Sequence, residues 1–150
     1  MAAAFLAAGC MGENKDISNL PEYAPSIGKT FRTKVELVVY VDDGTGGKLQ
    51  IERVGTSISL PPADKMPKTF PYKYSGAKLL GILPVGSEFK LVKVKEEGQG
   101  FVRSLVEVTK SADPQWVGRI VYPSGLTGVE NGKEATFDSK YVEEVPAAGK

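Results

Sequence analysis

The stretch Phe31-Arg32-Thr33-Lys34-Val35-Glu36-Leu37-Val38-Val39-Tyr40-Val41 decides the fold class. Its odd positions, Phe31, Thr33, Val35, Leu37, Val39 and Val41, alternate with Arg32, Lys34 and Glu36. Successive side chains of a strand point to opposite faces, so this period of two predicts a strand with one buried face. Val38 and Tyr40 interrupt the polar side, which predicts that the far end of the strand is covered on both faces. Asp42-Asp43-Gly44-Thr45-Gly46-Gly47 follows, and its Asp-Gly and Gly-Gly steps supply the positive φ that a hairpin connection requires. The return strand is expected over 48–60. Its apolar residues are Leu49 and Ile51 before Gly55, then Val54, Ile58 and Leu60 around and after it. A change of face at a glycine predicts a bulge or a sharp bend there.

Outward from this hairpin the pattern repeats. The proline-rich segment 61–71 reads as a loop, since proline cannot sit in a central strand. Short strands are expected over 78–83, 88–95, 101–109, 117–122, 135–137 and 140–145. In Phe89 to Val94 the apolar face switches between Leu91 and Val92, which predicts a strongly bent strand, whereas Val102, Ser104, Val106 and Val108 alternate cleanly. No segment keeps a 3.6-residue period over ten or more positions. The expected class is all-β, a small barrel or sandwich.

Composition narrows the function. The chain has 150 residues, 41% hydrophobic and 25% charged, enough to bury a core in one domain. A formal charge of +1 gives no electrostatic case for nucleic acid as a partner. Histidine is absent, which removes the commonest general acid–base and the commonest metal ligand. The single cysteine, Cys10, allows no disulfide within the chain. Serines such as Ser104 and Ser124 have no histidine to activate them. Glu96-Glu97 and Glu143-Glu144 are adjacent pairs whose members point to opposite faces of a strand. The Asp42–Gly47 glycine-rich turn lacks the spaced oxygens of a calcium loop and the lysine of a phosphate cradle. The reading is a protein without catalysis, metal or cofactor, with a small hydrolase as a minor alternative.

The run Phe5-Leu6-Ala7-Ala8-Gly9-Cys10 resembles a bacterial lipoprotein processing site, with the leucine one residue further out than usual. Residues 1–9 then read as the remnant of a truncated signal peptide, and 10–27 as a polar, proline-punctuated tether lipidated at Cys10. The alternative is an alanine-rich start and an ordinary free thiol. Met11 is not the aspartate that retains enterobacterial lipoproteins in the inner membrane. The resemblance therefore implies a cell-envelope location, at the outer membrane facing the periplasm where the host has one.

A second resemblance covers 72–145. Gly81-Ile82-Leu83-Pro84-Val85-Gly86-Ser87-Glu88-Phe89 is similar to the Leu-Pro-x-Gly turn and following curved strand of the bacterial SH3 (SH3b) family. Phe137-Asp138-Ser139-Lys140-Tyr141-Val142 resembles that family's closing segment, with Phe137 near the place of its tryptophan. The family's Asn-Val-Arg opening is replaced by Tyr74-Ser75-Gly76-Ala77-Lys78. The resemblance implies a small SH3-like barrel with an additional N-terminal β-hairpin, 28–60, packed beside it. One domain would span 28–145, followed by a tail over 146–150. It also implies an envelope module that binds cell-wall peptide or glycan, or that supports a protein partner.

Phe70-Pro71-Tyr72-Lys73-Tyr74 is the candidate contact surface, because Phe70, Tyr72 and Tyr74 project to one side of an extended chain. Trp116, Tyr122 and the carboxylate-pairing Arg119 would complete it. The competing reading makes Phe70 and Trp116 core plugs and leaves the tyrosines at a strand rim. The function expected is a lipid-anchored binding module. The alternative is an assembly lipoprotein that docks a protein through the 28–60 hairpin.

Overall fold

Val38 and Tyr40 are as buried as Leu37 and Val39, and this two-sided burial organises the molecule. The structure is a computed structural model describing residues 15–55, 60–98, 101–130 and 133–147. Cys10, the expectations for 1–14, Ile58 with the rest of 56–59, and the end of the tail lie outside the described residues. The strands are β1 (Lys15–Asp16), β2 (Thr30–Thr33), β3 (Leu37–Asp42), β4 (Leu49–Arg53), β5 (Tyr72–Tyr74) and β6 (Ala77–Leu83). They continue with β7 (Glu88–Glu97), β8 (Phe101–Lys110), β9 (Ile120–Ser124), β10 (Thr127–Glu130), β11 (Lys133–Phe137) and β12 (Val142–Val145).

One sheet runs in the order β12-β2-β7-β8-β9-β4-β3-β6-β5, with β1 added to β7, while β10 and β11 form a separate hairpin. The sheet curls around a core of Leu37, Val39, Ile51, Leu83, Phe89, Leu91, Val94, Val106, Val108, Trp116, Val121, Leu126 and Val142. The fold is all-β, a small curled barrel whose end strands β12 and β5 do not pair with each other.

The strand expected over 31–41 is two strands. The Thr33 hydroxyl donates to the Val35 carbonyl and accepts the Val35 N–H at 3.2 Å, local bonds that compete with a ladder and turn the chain. β2 then joins β7 and β12, whereas β3 lies between β4 and β6. The hairpin therefore does not pack beside a barrel; it supplies interior strands of the sheet. Its turn is a 3-10 segment over Asp43–Thr45, where the Asp42 carboxylate accepts the Gly44 N–H at 2.8 Å and Gly46 follows at φ 68°.

Alternation along β3 sends Leu37 and Val39 inward and Val38 and Tyr40 outward. The chain after β4 wraps over that outer face, where Leu60, Met66, Phe70 and Tyr74 pack with Val38, Tyr40 and Leu79. Gly55, at φ 78°, begins this wrap; the change of face is made by ending the strand at Arg53, with no bulge. The bend expected in β7 is present: the register with β8 shifts between Leu91 and Lys93 and leaves Val92 extra, so Phe89, Leu91 and Val94 all reach the core. A second shift, at Leu80 of β6, puts Leu79 on the outer cluster and Leu83 in the core.

Residues 15–27 are docked rather than strung out as a tether. β1 pairs with Glu96 and Lys95, the Ile17 N–H donates to the Val94 carbonyl at 2.9 Å, and the Ser18 hydroxyl accepts the Val94 N–H at 2.9 Å. Tyr23 is a core residue, and the Gly28 N–H closes the segment onto the Leu91 carbonyl at 2.8 Å.

Candidate functional site

β9 pairs with β8 only at Ile120 and Val121, then leaves it to run parallel to β4, with Tyr122 opposite Gln50 and Ser124 opposite Glu52. Pro123 lies in the departing segment and offers no N–H to a neighbouring strand. β8 meanwhile continues back to Phe101 with β7 as its ladder partner. A fork opens where the two strands part. It holds a groove of about 460 Å³ lined by Glu97 and Gly98, Phe101 to Ser104, and Pro123 to Gly125.

Phe101 sits at the mouth, 72% exposed, on the opposite face from the inward Val102, Val106 and Val108. Arg103 shares its outward parity and lies over the Tyr122 ring at 5.0 Å, with Lys48 at 5.3 Å from the same ring. Between the two cations stands Glu97, 3.6 Å from Lys48 Nζ and 3.8 Å from Arg103 Nη1. Its Oε1 is buried without a hydrogen bond among the described residues. Ser104 and Ser124 line the groove as well.

Behind Gly125 lies a buried polar trio. The Tyr40 hydroxyl donates to Glu52 at 2.7 Å and stands 3.3 Å from Gln50 Oε1. Burial pushes the Glu52 carboxyl up from its ordinary value, against the Tyr40 hydrogen bond and the Arg53 charge that favour its ionised form. Burial, and then the Glu52 carboxylate, push the Tyr40 hydroxyl up in turn.

A second groove, of about 420 Å³, has Phe31, Leu91, Phe137 and Val142 in its lining. Its rim charges are already matched: Lys29 pairs with Glu144 at 3.1 Å and Lys34 donates to the Ser139 carbonyl at 2.9 Å. The fork is the groove whose charged groups are left poorly paired.

The six expected contact residues do not form one surface. Trp116 is 3% exposed, a core side chain whose indole N–H donates to the Ile82 carbonyl at 3.0 Å. Tyr122 is 6% exposed beneath its two cations, so neither ring presents a face to a ligand. Phe70 and Tyr74 are half-buried against the outer cluster, where their apolar surface is needed to cover Val38 and Leu79. Tyr72, on β5 at the end of the sheet, and Arg119 are exposed. Sequence reasoning missed Phe101, Arg103 and Glu97. The available signal was an aromatic out of phase with the clean alternation that begins at Val102.

Among the described residues, no cluster of three His, Cys, Asp or Glu side chains could hold a metal ion, and no helix is long and apolar enough to cross a membrane. Stacking by Phe101 and ion pairing by Arg103 and Lys48 are what the fork offers. Comparison with family models, with curated proteins and with solved structures gives no match to this chain.

Proposed function

We propose that this protein is a lipid-anchored cell-envelope module that binds cell-wall peptide or glycan, without catalysis, in the fork between β8 and β9. The observation that carries the reading is the placement of an exposed aromatic, Phe101, beside a half-paired guanidinium in one groove. An aromatic face stacks on sugar rings or apolar side chains, and the guanidinium fixes orientation. The lipobox-like run ending at Cys10 and the SH3b-like motifs support the envelope location and the binding role.

The test is an NMR titration of the full chain with purified peptidoglycan fragments. Shifts confined to Phe101, Arg103, Ser104, Ser124 and Gly125 are expected; a spectrum that stays still sinks the reading. Anchoring is tested separately, in cells making the protein behind a complete signal peptide. There Cys10→Ser moves it from the membrane to the soluble fraction, and unchanged membrane association overturns the lipid.

A second reading, an assembly lipoprotein, is favoured by the two end strands β5 and β12, each with one edge unpaired among the described residues. It expects a co-purifying partner that is lost on Tyr72→Lys, a change on the exposed face of β5, while wall binding is unaffected.

A further inference from the structure

We infer that the fork takes an extended peptide by its terminal carboxylate, which Arg103 holds; this rests on the fork being the ligand site proposed above. Charge is the first argument. Among the described residues Lys48 and Arg103 share one ion-pair partner, Glu97, so neither cation has a carboxylate to itself. Both contacts, at 3.6 and 3.8 Å, are well outside the ~2.7–2.9 Å of a charge-assisted hydrogen bond. Among the described residues the Arg103 guanidinium makes no hydrogen bond, so its fork of donors is free. A carboxylate is the planar partner that such a fork matches with two parallel bonds. An ammonium would meet two cations around one anion, and a neutral sugar would leave the guanidinium unpaired.

Pre-organisation is the second argument. Arg103 rests on the buried Tyr122 ring, so little side-chain freedom remains to be lost when a ligand binds. The third is the strand edge. β8 has β7 on one side; on the other, among the described residues, its ladder with β9 begins only at Val106. An extended peptide can lie along 101–105 there and pair as an added strand. Phe101 then covers the ligand's side chain on the same face as Arg103.

The experiment compares the tripeptide diacetyl-lysyl-D-alanyl-D-alanine as free acid and as C-terminal amide. Each is titrated into the full chain by calorimetry and NMR, with wild type and Arg103→Gln. In wild type the free acid binds about ten- to a hundredfold tighter than the amide, the range expected for a hydrogen-bonded charge pair. In Arg103→Gln the acid loses that advantage and binds no tighter than the amide. Equal binding of acid and amide by wild type, with shifts still at Phe101 and Gly125, overturns the carboxylate while leaving the fork a ligand site. Groove residues that stay still with both peptides and with peptidoglycan fragments overturn both readings.

Discussion

Glu52 is a carboxyl folded into the outer face of the sheet, 9% exposed, with the Tyr40 hydroxyl as its hydrogen-bond donor. Its pKa is raised on folding above the ordinary 4.5, with burial as the leading cause. A raised folded pKa means that the folded state holds the proton more tightly than the unfolded chain. The associated stability is complete below the ordinary value and is lost as pH rises through the raised one. Glu52→Gln keeps an acceptor for Tyr40 and removes the charge. Thermal melts across pH should therefore show Glu52→Gln gaining on wild type as pH climbs from acid to neutral; parallel curves would refute this. Gly81 gives a steric prediction. A Cβ there would stand 2.6 Å from Trp116 Cζ2, so Gly81→Ala must displace the indole, at a cost of about 1–3 kcal/mol. The only tryptophan makes the displacement visible as a shift in emission during urea unfolding. At this scale the sequence was partly readable. Trp116 looked the same whether buried or exposed. Its burial depends on Gly81, a residue some thirty-five positions away that leaves the space for it.

Between residue and molecule, the segment from Lys15 to Gly28 behaves as part of the barrel wall. Ser18 caps the bent end of β7 through the Val94 N–H, and Tyr23 is embedded in the main core. Tyr23→Ala should cost about 3 kcal/mol and Ser18→Ala about 1 kcal/mol in chemical denaturation. A free tether would show neither loss. This segment was illegible in advance because Ile17, Leu20, Tyr23 and Ile27 follow no strand period and are punctuated by Pro21 and Pro25. The bend of β7 was legible for the opposite reason: an apolar face that changes parity within one strand needs an extra residue, and Val92 is that residue. The break at Lys34 and Val35 left no trace, since Phe31 to Val41 alternate straight through it while the chain passes between distant parts of the sheet.

Across the whole molecule the class was readable and the order of strands was not. β4 and β9 are about seventy positions apart and lie side by side in parallel, an arrangement no local pattern encodes. The fork exists only because β9 divides its length between β8 and β4, so the candidate site is a product of topology. Phe101→Ala, far from both cores and 72% exposed, should leave the melting curve within about 0.5 kcal/mol of wild type. Its loss of peptidoglycan binding should be plain in the same titration, and retained affinity would remove Phe101 from the site.

The docking of β1 onto β7 also sets a leash. Five steps separate Cys10 from Lys15, and a chain covers at most about 3.6 Å per step, so the reach is about 18 Å whatever path those residues take. With a lipid on Cys10, the start of β1 would stay within about that distance of the bilayer surface. On that condition the barrel could meet only the layer of wall nearest the membrane that holds it.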